Sequence, residues 1–121
     1  MDHSVPVYVI NLARSRDRWD RLKSNADALS IDLRRVEAVE GKLLSPEELT
    51  DFDDAGFRRW HGKTVLPAEI GCYFSHIQVL EIIAAAPESF AVIVEDDVIF
   101  TPAFQPFLTY LTKVTGWDAV K

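Results

Sequence analysis

Apolar and polar positions alternate in blocks along the chain, and each block predicts an element. Val5 to Leu12 is a run of apolar, β-branched and aromatic residues and reads as a strand, with Pro6 tolerated near its start. Trp19, Leu22, Ala26 and Leu29 then recur at spacings of three and four, which predicts a helix over Arg16–Leu29 with Ser15 as its N-cap. Leu33 to Val39 reads as a second strand, interrupted by Arg34 and Arg35 and broken at Gly41. Ser45, Pro46 and Glu48 give a cap, a proline at the first helical position and a capping box, so a short helix is expected to run to about Asp54.

Residues 55–66 hold Gly56, Gly62 and a polar aromatic stretch, and are expected to form a loop. Pro67 opens a long helix to about Ala86, with Ile70, Phe74, Ile77 and Ile83 on its inner face. Phe90 to Val94 is too short for a helix and reads as a strand buried on both faces. A weaker helix over 104–114 stops at Gly116, and Trp117 to Lys121 reads as the opening of a fourth strand. Strands that alternate with helices predict an α/β fold with a mainly parallel sheet, helices on both faces and right-handed crossovers. In such a sheet Asn11–Arg14, Val39–Lys42 and Glu95–Asp97 share the C-terminal edge, where ligands of open α/β sheets bind.

Composition narrows the function. Asp plus Glu is 19 against 13 Lys plus Arg, a net charge of −6, which argues against a broad nucleic-acid surface. The charge is uneven: residues 1–42 sum to +1 and residues 43–121 to −7. Arg14, Arg16, Arg18, Arg21 and Lys23 face only Asp17 and Asp20, a local basic patch suited to a small anion. The competing reading is a solvated helix face with i,i+4 ion pairs. The 121 residues match one domain, no apolar run reaches membrane-spanning length, and the N-terminus lacks the pattern of a signal peptide. One cysteine, Cys72, permits no internal disulfide and argues against a cysteine-based metal site, and a reducing, cytoplasmic setting is the simplest expectation.

The sharpest chemical feature is Glu95-Asp96-Asp97, which follows directly on the apolar strand. Three adjacent carboxylates repel, and a hard divalent cation relieves that repulsion; a solvated acidic turn is the alternative. The second feature is the run from Asn11 to Arg18 at a strand-to-helix junction, where unpaired helix N–H groups attract anions. Neither GxGxxG nor a P-loop is present. A receiver-like phosphoacceptor site is disfavoured, because the first strand ends in Asn11-Leu12 and not in acids. His76 reads as a half-buried histidine, Cys72 as a small core residue and Trp19 as core, while Tyr73 and Tyr110 read as packing. Trp60 is a candidate to stack on a sugar or nucleotide. His61 is left unassigned, and His3 is expected to be disordered.

Four stretches in order, VYVINLARSRDRW at 7–19, RRVEAVEGKLL at 34–44, LPAEIGCYFSHIQVL at 66–80 and AVIVEDDVIF at 91–100, resemble the N-terminal part of glycosyltransferase family 25. That family includes bacterial lipooligosaccharide galactosyltransferases and collagen galactosyltransferases. The resemblance implies a GT-A-like, Rossmann-type three-layer fold, truncated at the C-terminus, with residues 1–121 as the nucleotide-sugar (donor) part. It implies a metal-assisted, inverting transfer of a hexose, galactose first, from a UDP-sugar to a lipooligosaccharide-type saccharide acceptor.

Glu95 and Asp97 would hold the cation, Mn2+ or Mg2+, with Asp97 the better direct ligand and Asp96 a neighbouring ribose or metal contact. Asn11, Leu12, Arg14 and Arg18 would line the nucleotide pocket, Ala38, Val39 and Glu40 would border the uridine, and Ser75 and His76 would lie nearest the donor. Glu40 departs from the aspartate usual in the family. The general base is not assigned to any residue of this chain. Peripheral association with the inner membrane and pairing with another copy through an exposed sheet edge are further expectations. The alternative is a non-catalytic family member that serves as a nucleotide-sugar-binding or assembly module.

Overall fold

A computed structural model describes residues 4–121; His3 lies outside the described residues. Strand β1 (Val7–Asn11) is buried along its whole length and forms the centre of a three-stranded sheet. It pairs in parallel with β2 (Leu33–Glu37) on one side and β3 (Val92–Glu95) on the other. The register sets Asn11 opposite Glu37 and Ile10 opposite Glu95. The C-terminal ends of all three strands therefore lie at one height along one edge, as the sequence pattern predicts.

The period of two along β1 separates two cores. Val7 and Val9 pack with Leu22 and Ala26 of α1 (Arg16–Ala28) and with Leu108 of α5 (Phe104–Leu111), and half-buried Trp19 joins them. Tyr8 and Ile10 point to the other face, with Val36 of β2 and Val79 and Ile83 of α4 (Pro67–Ala85). Helices on both faces of a parallel sheet give the expected α/β layering.

Between β2 and α4 the chain makes a 3₁₀ turn at Gly41–Leu43, helix α2 (Pro46–Leu49) and helix α3 (Asp54–His61). The capping box of α2 forms as expected, with Ser45 Oγ accepting from Glu48 N and Glu48 Oε1 accepting from Ser45 N. The loop expected over 55–66 is instead mostly helix. Asp53 caps α3 by accepting from Gly56 N at 2.9 Å, and Gly62, at φ +67°, closes it. The two glycines that suggested a loop sit in the first turn and at the C-cap, where a helix tolerates them.

Other expectations are corrected by packing. Trp117 to Lys121 forms no strand. Gly116 turns the chain at φ +85°, and the Trp117 ring packs on Phe90 at 5.2 Å while its Nε1 donates to Val114 O. Strand β3 is half-buried, because it is an edge strand among the described residues. The buried stripe of α4 is Ile70, Gly71, Ser75 and Val79; small residues let the helix approach closely, and Ile77 is left at the surface. Cys72 is exposed on α4, and Tyr110 is exposed on α5. Ser15 sits at the N-cap of α1 without a side-chain bond; its carbonyl is used by Asn11.

Candidate functional site

The common strand edge opens into a cavity of about 480 Å³, within the range of small-molecule sites. Four segments line it. Leu12, Arg14 and Arg18 come from the β1–α1 junction, and Ala38, Val39 and Glu40 follow β2. Ser75 comes from α4, and Glu95 and Asp96 come from the end of β3. The first turn of α4 contributes Leu66, Pro67 and Ala68, so the N-terminal ends of α1 and α4 both border the cavity. Helix N-termini present partial positive charge to whatever binds there.

Asn11 lies beneath the floor, 1% exposed, and organises it. Its Nδ2 donates to Asp96 Oδ2 at 2.8 Å and to Ser15 O at 3.1 Å. Its Oδ1 accepts from Arg35 Nε at 2.9 Å. A guanidinium only donates and a carboxylate only accepts, so these partners fix the orientation of the amide. Arg18 Nη1 donates to the other oxygen of Asp96 at 3.3 Å. Asp96 is thus a structural anchor between β1, α1 and β3. The segment after the acidic triplet is held by a two-way bond, Phe100 N to Asn25 Oδ1 and Asn25 Nδ2 to Phe100 O.

Across the cavity, Ser75 Oγ accepts from Val39 N at 2.8 Å and donates to Gly71 O at 2.7 Å. Glycines make this approach feasible: a Cβ on Gly41 would overlap the carbonyl of Pro67, and one on Gly71 would meet Val39 O and Gly41 N. Arg14 and Glu40 form an ion pair at the rim and border a second, adjoining cavity as well. At the mouth, Glu69 accepts from Leu66 N and pairs with Lys63, which together hold its carboxyl below the ordinary range.

The acidic triplet divides. Glu95 turns its Oε1 toward Cys72 Sγ at 3.4 Å and His76 Nε2 at 3.5 Å, Asp96 faces Asn11 and Arg18, and Asp97 is exposed and takes no part in the cavity wall. Among the described residues, Cys72, His76 and Glu95 are the group of three whose potential ligand atoms lie within 4.8 Å of one another. Desolvation, reinforced by the Glu95 carboxylate, raises the Cys72 thiol pKa. The geometry gathers sulfur, nitrogen and oxygen around Glu95 and does not gather a pair of carboxylates.

Of the residues singled out from sequence, nine line the cavity: Leu12, Arg14, Arg18, Ala38, Val39, Glu40, Ser75, Glu95 and Asp96. Asn11 supports it from below, His76 stands beside Glu95, and Asp97 lies outside. Trp60 is 84% exposed on α3 and lines neither cavity, and His61 stacks on Phe57 at 4.3 Å. Sequence reasoning missed the parts of Arg35 and Cys72. The four-residue spacing of Cys72 and His76 on a predicted helix was the available signal for the latter.

Residues 4–118 match the family model described as "Glycosyltransferase family 25 (LPS biosynthesis protein)". A glycosyltransferase 25 family member of Aedes aegypti is 30% identical over 122 residues, covering 94% of this chain and 20% of the relative. Procollagen galactosyltransferase 1-B of Xenopus laevis is 31% identical over 103 residues, covering 82% and 17%. The human protein named inactive glycosyltransferase 25 family member 3 is 29% identical over 123 residues, covering 94% and 21%. The chain therefore spans about a fifth of the length of the curated relatives it matches. The match over nearly all described residues and the parallel sheet agree: this chain belongs to glycosyltransferase family 25.

Proposed function

We propose that residues 1–121 form the donor-binding part of a GT-A-like glycosyltransferase domain, holding a UDP-sugar in the cavity at the sheet edge. The observation that carries this reading is the convergence of Arg14, Arg18 and the first turns of α1 and α4 on one cavity. A diphosphate placed there meets guanidinium groups and helix N–H dipoles fixed before it arrives. The apolar Leu12, Ala38 and Val39 offer a surface for a base. Galactose is the first candidate sugar, because relatives are named galactosyltransferases. The words LPS biosynthesis protein in the family description support a lipooligosaccharide-type acceptor, and the frog relative's name points instead to procollagen.

Charge supplies a second element of the reading. The charged groups lining the cavity are Arg14, Arg18 and Lys42 against Glu40, Glu95 and Asp96, which cancel. A diphosphate therefore calls for added positive charge, and Mn2+ or Mg2+ held by Glu95 and Asp97 is the arrangement the family resemblance implies. Such a cation, when bound, neutralises charge on the departing diphosphate. Glu95 borders the cavity and Asp97 does not, so Asp97 is the weaker half of that pair. The protein's own part is to bind and orient: Asn11 fixes Asp96, and Ser75 fixes the Val39 loop. Inversion at the sugar carbon belongs to the same reading, with a base that takes the acceptor proton.

Calorimetric titration of the chain with UDP, with and without Mn2+ or Mg2+, tests the proposal. Saturable heat that grows with the cation supports it, and no heat at millimolar UDP under either condition contradicts it. The human relative's name, inactive, favours a second reading as a non-catalytic binding module. Transfer of labelled galactose to a saccharide acceptor by a chain that binds UDP would exclude that reading.

A further inference from the structure

Cys72, His76 and Glu95 are left unexplained as a group by donor binding. Cys72 and His76 stand four residues apart on α4, which places them on one helix face, and Glu95 ends β3 opposite them. A tetrahedral zinc ion with Zn–S about 2.3 Å and Zn–N or Zn–O about 2.0 Å sets its ligand atoms about 3.5 Å apart for S···O and about 3.3 Å for N···O. The structure has 3.4 Å from Cys72 Sγ to Glu95 Oε1 and 3.5 Å from His76 Nε2 to the same oxygen, with all three ligand atoms within 4.8 Å. Cys72 and Glu95 are exposed and His76 is half-buried, so an ion can reach them.

We propose that Cys72, His76 and Glu95 form a three-ligand site for a thiophilic divalent cation of the zinc class, beside the cavity that Cys72 and Glu95 also line. Sulfur and imidazole favour zinc or cobalt over magnesium, which prefers oxygen alone. Binding releases the Cys72 proton to solvent as the thiolate forms. Thiolate and carboxylate then balance the two charges of the ion. The site uses Glu95 in common with the Glu95–Asp97 pair but does not rest on the donor reading.

Titration of the 121-residue chain with Co2+ alone, followed by absorbance, tests this. The expected result is saturation at one equivalent, with a thiolate-to-cobalt charge-transfer band and tetrahedral visible bands, reversed by Zn2+. Cys72→Ser should abolish the charge-transfer band, and His76→Gln should weaken binding roughly tenfold or more. Asp97→Asn should leave cobalt affinity within about twofold, since Asp97 is not in the set. Far-UV circular dichroism checks that each variant is folded. No sulfur charge-transfer band in the parent would overturn the proposal without needing any variant. So would cobalt binding that survives Cys72→Ser unchanged or is lost in Asp97→Asn. UDP calorimetry reads the donor site separately, so failure of one leaves the other standing.

Discussion

Asn11 Nδ2 donates to Asp96 Oδ2 at 2.8 Å, joining the C-terminal ends of β1 and β3 across 85 positions of chain. The same amide holds Arg35 through its carbonyl oxygen, so one buried side chain ties β1 to both of its neighbours. Asn11→Leu keeps the volume and removes the polar partners. The loss takes one hydrogen bond from the Asp96 carboxylate, which keeps Arg18, and one from the exposed Arg35 guanidinium, and unfolding in urea should show a cost of about 1–3 kcal/mol. A change below about 0.5 kcal/mol would mean that this network does not hold the rim.

Gly41 and Gly71 meet where the 3₁₀ turn docks on α4, and neither has room for a side chain. The atoms in the way are backbone, which cannot swing aside. Gly41→Ala and Gly71→Ala should each destabilise by about 1–3 kcal/mol or more through overpacking. Gly62→Ala is a control of another kind, with open space around it and strain only from its φ of +67°. Thermal unfolding of the three variants separates crowding from backbone strain.

Glu69 stays ionised below the ordinary glutamate range, first because Leu66 N donates to it and then because of Lys63. Its depressed value means that the folded state favours the charged form. The stability it adds is present above the unfolded value and is lost as pH falls through the lowered folded value. The protection of the Leu66 amide, its hydrogen-exchange rate taken against the intrinsic rate at the same pH, should be high at neutral pH and should fall under acid. Glu69→Gln should flatten that dependence; an unchanged acid response in this variant would remove Glu69 from the account.

Arg14 and Arg18 have side chains that are each 58% exposed, and their ion pairs with Glu40 and Asp96 lie at the rim. Exposed pairs of this kind contribute about 0–1 kcal/mol. Arg14→Ala and Arg18→Ala should therefore unfold close to the parent, while each weakens UDP binding by about tenfold through a lost charge-assisted contact. Equal losses in stability and in affinity would indicate a structural role only.

Much of this arrangement is legible in the sequence because it follows from local patterns. The apolar run Val5–Leu12, the 3–4 spacing from Trp19 to Leu29 and the Ser45–Glu48 capping box each specify an element without outside help. Parallel order then brings Asn11, Glu40 and Glu95 to one edge. What was not legible lies partly in a local helix signal masked by Gly56 and Gly62 and partly in contacts between distant segments. The helix of Asp54–His61 rests on a cap from Asp53 and on Phe57 packing against Phe52 and His61. The division of Glu95, Asp96 and Asp97 among three surroundings depends on α4 and Asn11, and no spacing within the triplet encodes it. Cys72 reads as core because cysteine usually is, yet the close docking of Gly71 turns it toward Glu95.

The central claim is that the cavity at the sheet edge binds a nucleoside diphosphate. Backbone amide NMR of the chain, titrated with UDP and separately with uridine, tests it most directly. The account predicts saturable shifts at Leu12–Arg18, Ala38–Lys42, Leu66–Ala68 and Glu95–Asp96, with UDP binding more tightly than uridine. Shifts centred elsewhere, such as on α3, or no saturable shift at millimolar UDP, would contradict it.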